Sequence, residues 1–203
     1  QLAPFGWMAT LPVMGYVVGG ALAAPLVARS QSRWGRRGSF QIGLLVALGS
    51  ALLAAYAAAH RDFWLLLAAT VIAGYYNANG QLYRFAAAEL VKPDWREKAV
   101  SLVLAGGLLG GIVGPNLAAW TRALLPTPFV GAYLALALVA VLAMGVMALI
   151  EFSPVHASAA HAPQGRPLAQ IMRQPIFIVA TLGAAMGYGV MNLLMAATPL
   201  AMQ

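Results

Sequence analysis

Six long apolar stretches dominate the chain, at about residues 7–28, 39–59, 63–91, 99–124, 130–152 and 176–202. A helix needs about 20 apolar residues to cross ~30 Å of hydrocarbon, and each stretch is long enough. Backbone groups in lipid must bond within their own segment, so all six are expected to be helices. The alternating polar and apolar segments of about ten residues that mark a membrane β-barrel are absent. The expected fold class is all-α, a multipass transmembrane helical bundle. Composition agrees: 62% of the 203 residues are hydrophobic and only 8% are charged, against roughly 25% charged in soluble domains. So few ionic groups could not cover such a core in water. That excludes a soluble enzyme or a nucleic-acid-binding module, despite the net charge of +7. There are no cysteines, hence no disulfide and no thiolate ligand or nucleophile. The three histidines, His60, His156 and His161, all lie in polar connectors.

The connectors orient the bundle. Arg29, Arg33, Arg36 and Arg37 follow the first pass, Lys92, Arg96 and Lys98 follow the third, and Arg166 and Arg173 follow the fifth. The opposite connectors carry only Arg61 and Arg122. The positive-inside bias then makes loops 29–38, 92–98 and 153–175 cytoplasmic. The segment 153–175 holds Pro154, Pro163, Pro167 and Pro175 in an Ala/Ser/His filling and reads as a linker. Its last part, Leu168 to Arg173, is expected to form one amphipathic turn. Five passes precede this linker and one follows, and neither Gln1 nor Gln203 reads as a natural end. The chain is expected to be part of a longer protein.

Several residues stand out chemically. Gly106, Gly110 and Gly114 recur every four residues on the fourth pass and are followed by Pro115, while Gly15 and Gly19 share the spacing on the first. Small residues so placed let helix backbones approach closely. The third pass is the most polar. With uninterrupted helical geometry Asn77, Gln81 and Arg84 fall on one face, with Tyr76 beside them. Polar groups this deep normally face a cavity or another helix, so this face is expected to line a substrate cavity. Met191, Met195, Thr198 and Met202 share a face of the sixth pass. Thioether sulfur is soft, prefers Cu(I) and needs no deprotonation, which makes Met191 and Met195 candidate metal ligands. Packing is the competing role for methionines in a helix interface. No Gly-x-Ser-x-Gly or His-Glu-x-x-His motif is present, and no nucleophile stands near a base, so no enzyme is expected.

Together these features resemble the major facilitator superfamily of secondary transporters, in which two six-helix halves are joined by a long cytoplasmic loop. The chain is similar to helices two to seven of that plan. Residues 1–152 would be five helices of the first half, 153–175 the inter-half linker, and 176–203 the first helix of the second half. The family's loop signature Gly-x-x-x-Asp-Arg-x-Gly-Arg-Arg is met by Ser32-Arg33-Trp34-Gly35-Arg36-Arg37, with Ser32 for the Asp and Ala28 for the leading Gly. The acidic latch usual in the family is therefore not expected in its ordinary form. Gly110 to Pro115 meets the fifth-helix signature, and Gly74 the glycine of the fourth, where Thr70 replaces the Arg.

The runs Tyr83 to Glu89, Ser101 to Gly107 and Met191 to Met202 resemble a proteobacterial subgroup containing copper importers and riboflavin importers. That resemblance implies alternating access around a site near the midplane, with Arg33, Gly35, Arg36 and Arg37 at the cytoplasmic gate. It also implies Met191 and Met195 facing Asn77 and Gln81. Copper ion moving inward is the leading cargo, and riboflavin or another small organic solute is the alternative. A solute exporter and a non-transporting subunit of a larger membrane complex stay open. The partners are the bilayer and a small-molecule or metal-ion substrate, with no nucleic acid and no resident cofactor.

Overall fold

The computed structural model describes residues 6–152 and 168–201, and its chain divides into two units, residues 1–154 and 155–203. The first unit contains α1 (Leu11–Ala59), α2 (Phe63–Gly80), α3 (Tyr83–Glu89), α4 (Arg96–Thr121) and α5 (Val130–Leu149). The second contains α6 (Leu168–Met172) and α7 (Pro175–Ala201). The short turn expected at Leu168 is α6. No strand occurs among the described residues.

Helix α1 is two arms joined at one residue. Gly35 has φ 70° and ψ −176°, a backbone region essentially reserved for glycine. The chain reverses there, so the expected loop 29–38 shrinks to a single non-helical position. Contacts along the arms give their directions. Gly15 lies against Leu67, Thr70 and Val71, while Gly20 lies against Gly74 and Asn77, so the first arm runs parallel to α2. Gly43 meets Asn79, whereas Ala54 and Ala57 pack with Leu66 and Ala69, so the second arm runs antiparallel to α2. Arg37 reaches the carbonyl of Ala148, and Gln41 that of Met144, which sets the second arm antiparallel to α5. Helices α4 and α5 form a hairpin in which Gly131 seats against the backbone of Thr121.

The core is built inside out. Buried positions on α1 and α2 are mostly glycine and alanine, whereas Leu22, Leu45, Trp64, Leu102, Leu108, Leu109, Ile112 and Leu142 are exposed. A soluble monomer rarely shows so large an apolar surface, while small residues between close helices are what lipid favours. Exposed Trp34 and Trp95 lie at one end of the bundle and Trp64 and Trp120 at the other, as aromatic belts at two membrane interfaces do. Four helices are long and apolar enough to cross a membrane: the α1 segment, α4, α5 and α7. Divided at Gly35, α1 supplies two crossings.

The expected third pass, 63–91, is interrupted. Leu82 donates its N–H to Asn79 at 3.0 Å, an i→i−3 bond, and α2 stops at Gly80 before α3 begins. Glycine's low helix propensity explains the position of the break. Another turn is fixed by Asp62, whose Oδ1 accepts from the N–H of Leu65 at 3.0 Å and caps α2. Asp62→Ala should lower stability by about 1 kcal/mol and Asp62→Asn by much less. Thermal unfolding in detergent checks this, and equal melting of the alanine variant and wild type would contradict it.

Candidate functional site

At the basic end of the bundle, Gly35 turns the chain so that Arg36 points at α3. The Arg36 guanidinium donates to Glu89 through Nη2 (2.6 Å) and Nε (3.1 Å), and to Gln31 Oε1 through Nη1 (2.6 Å). Charge-assisted forked bonds of this kind fix direction as well as distance. The Glu89 side chain is 55% exposed, so water screens the pair and its worth lies in positioning more than in stability. Arg37 donates to the carbonyl of Ala148 at 2.6 Å, near the last turn of α5. Arg33 lies over the Trp34 ring, 5.4 Å from its centroid. Of the four residues expected at the gate, Gly35, Arg36 and Arg37 therefore tie α1 to α3 and α5, and Arg33 stays on the surface.

One layer deeper, a polar cluster joins the arms. Asn79 is fully buried and donates Nδ2–H to the carbonyl of Ser39 at 2.7 Å. The hydroxyl of Ser30 donates to that of Ser39 at 2.7 Å. Phe40, also fully buried, sets its ring edge-on to Tyr83 with centroids 4.7 Å apart. Asn79 escaped the sequence reading because it lies on the face of α2 opposite the one judged most polar. The available signal was that a second amide in an apolar pass is as costly to bury as the first.

Towards the middle of the bundle lies a cavity of about 140 Å³. Its walls are Tyr16 from the first arm of α1, Leu44, Ala47 and Ser50 from the second, Ala73 and Tyr76 from α2, and Leu136, Val139, Ala140 and Ala143 from α5. Nearly all of the exposed wall is apolar, and the Ser50 hydroxyl donates to the carbonyl of Ala47. Of the residues expected to line a cavity, Tyr76 does so here. Asn77 does not: its amide packs on Gly20, where an added Cβ would come within 3.1 Å. Gln81 is exposed at the break after α2, and Arg84 is half-buried over Phe85, 4.9 Å from the ring centroid. Asn77 and Gln81 keep helical register, with the Gln81 N–H on the Asn77 carbonyl at 3.2 Å, and the tightened step at Leu82 falls between them and Arg84. Glu89, five residues beyond Arg84 in the chain, pairs with Arg36.

The expected packing glycines divide in two. Gly15 and Gly19 do carry a helix contact, together with Gly74. Gly106, Gly110 and Gly114 meet nothing within 4 Å of an added Cβ among the described residues, and α4, which contains Pro115, has no buried residue. Met191 is exposed on α7. Met195 and Thr198 belong to the same helix, but their side chains lie outside the described residues, as does Met202 altogether.

The model of the Major Facilitator Superfamily matches residues 2–203. Over 198 residues the chain is 35% identical to the riboflavin transporter RfnT of Brucella anthropi, which covers 96% of this chain and 50% of that protein. Over 114 residues it is 35% identical to the uncharacterized MFS-type transporter YddS of Bacillus subtilis, covering 54% of this chain and 25% of that protein. No solved structure matches significantly. The chain thus spans about half the length of the first relative and a quarter of the second. With antiparallel arms, basic turns gathered at one end and a family match running almost from end to end, this chain belongs to the Major Facilitator Superfamily.

Proposed function

We propose that the protein is a secondary transporter working by alternating access, and that it imports riboflavin or a closely related planar solute across the bacterial inner membrane. The observation that carries this reading is the 35% identity to RfnT along 96% of the chain. The cavity adds support, since Tyr16 and Tyr76 contribute aromatic residues to its apolar walls. The apolar area of a flat heteroaromatic ring suits such a lining. Copper import, the leading expectation from the thioethers of Met191 and Met195 and the subgroup resemblance, finds no support in the comparisons and takes second place. The forked Arg36–Glu89 pair is the contact we assign to holding the cytoplasmic gate.

Labelled riboflavin uptake by the full gene product, expressed in a strain lacking its own importer, tests the assignment. Tyr76→Ala should raise the KM for riboflavin about tenfold, the cost of roughly 1.4 kcal/mol of lost contact. Tyr76→Phe should stay within about twofold, because the ring remains. Background uptake from protein that is present in the membrane would refute the riboflavin reading. Copper accumulation that disappears in Met191→Ala would reinstate the metal.

A further inference from the structure

The basic end of the bundle carries more than the charge needed for orientation. The forked Arg36–Glu89 pair brings the turn at Gly35 beside the turn that leads into α4. The cations of the two connectors thereby form one patch. Arg29, Arg33, Lys92, Arg96 and Lys98 are all exposed there, and the carboxylates at this end are Asp94, Glu97, Glu151 past the end of α5 and the Arg36-paired Glu89. Two of these cations sit on exposed indoles. Lys98 Nζ lies 4.4 Å from the Trp95 ring centroid and Arg33 lies over Trp34, and the two tryptophans are 57% and 55% exposed. At the other end, Arg61 and Arg122 are the only basic side chains besides His60, and Trp64 packs on Phe63 instead of on a cation.

We propose that this patch is a binding surface for the phosphate headgroups of anionic phospholipid. An exposed indole settles at headgroup depth, with its apolar body towards the acyl chains and its N–H in the polar layer. Here each indole places a cation at the same depth, level with the phosphates. Lysine and arginine near an anionic membrane surface each strengthen attraction by about fivefold. The apolar spans run directly into the patch, which favours a lipid over a soluble acidic partner. The partner is therefore phosphatidylglycerol or another lipid of net negative charge, seated between the Gly35 turn and the start of α4. Bound lipid would bridge the elements that the Arg36–Glu89 pair already joins.

The test uses the purified full gene product in detergent, washed after exposure to equal amounts of phosphatidylglycerol and phosphatidylcholine, with retained lipid counted by mass spectrometry. Wild type should retain phosphatidylglycerol at least fivefold over phosphatidylcholine, and the preference should shrink in 0.5 M salt, where the screening length is only about 4 Å. The triple variant Lys92→Gln, Arg96→Gln, Lys98→Gln should fall below twofold, whereas Lys92→Arg with Lys98→Arg should keep the preference. Arg61→Gln with Arg122→Gln, at the opposite end, should change nothing. Should the triple variant not fold, Lys92→Gln and Lys98→Gln singly should each give an intermediate preference. Equal retention of the two lipids by wild type overturns the proposal. So does a preference that survives charge removal, or one displaced by polyglutamate, which would indicate an acidic protein segment instead. None of these outcomes depends on the identity of the transported solute.

Discussion

Gly74→Leu is expected to remove folded protein from the membrane. A Cβ on Gly74 would fall on the backbone of Gly19 and Gly20, and one on Gly19 would fall on the backbone carbonyl of Val71. The first arm of α1 and α2 thus touch backbone to backbone, with no flexible side chain between them to give way. Overpacking typically costs 1–3 kcal/mol when neighbouring side chains can adjust. Here the helices themselves must separate, and the buried contacts on either side, among them Gly15 with Leu67 and Gly20 with Asn77, separate with them. Against a total stability of about 5–15 kcal/mol, a leucine at this point is prohibitive. Even Gly74→Ala carries the offending Cβ and should lower stability by about 3 kcal/mol, the upper end of that range. Gly49→Ala provides the comparison. Gly49 is exposed on the second arm of α1, a Cβ there meets nothing within 4 Å, and helix propensity favours alanine by about 1 kcal/mol. Fluorescence-detected size exclusion with a temperature ramp reads all three variants. Gly74→Ala accumulating and melting like wild type would show that the two backbones are not in contact.

Much of this architecture was legible in the chain because lipid imposes simple rules. Apolar length located the passes, and the basic residues of the Gly35 and Pro93 turns placed both at one end, where the Arg36–Glu89 pair now joins them. What stayed hidden depended on partners or on local breaks. Asn77 and Gln81 keep one face, whereas Arg84 lies beyond the tightened step from Asn79 to Leu82, a local break that uniform helical spacing does not anticipate. Glycine spacing on α1 and on α4 is the same, yet only Gly15 and Gly19 have a helix across from them among the described residues. Spacing records the capacity for close approach and not the presence of a neighbour. Glu89 lies closer in sequence to Arg84 than to Arg36. Only the reversal at Gly35 brings together two residues 53 positions apart.

Asn79→Asp should be the most damaging single-atom-scale change in the bundle. The amide nitrogen of Asn79 faces the Ser39 carbonyl at 2.7 Å, and the residue has no exposure at all. An aspartate carboxylate would set oxygen against oxygen at that separation, in a fully buried position. Leaving one charge buried and unpaired costs about 3–5 kcal/mol. Asn79→Ala avoids the charge, but it strands the Ser39 carbonyl and opens space beside Gly43, whose added Cβ would come within 2.6 Å of the native amide. An unsatisfied buried acceptor costs about 1–3 kcal/mol, and the alanine variant should fall within that range. Ser39→Ala separates the parts of the cluster. It removes the hydroxyl that accepts from Ser30 yet keeps the carbonyl that Asn79 needs, so it should cost no more than about 1 kcal/mol, the scale of one side-chain bond inside a bundle. The expected order of melting temperatures is therefore wild type, Ser39→Ala, Asn79→Ala and Asn79→Asp. If Ser39→Ala is as harmful as Asn79→Ala, the serine hydroxyls hold the arms together and the amide is incidental. If Asn79→Asp melts with wild type, water or a cation reaches the site, and the basic end of the bundle is wetter than its packing implies.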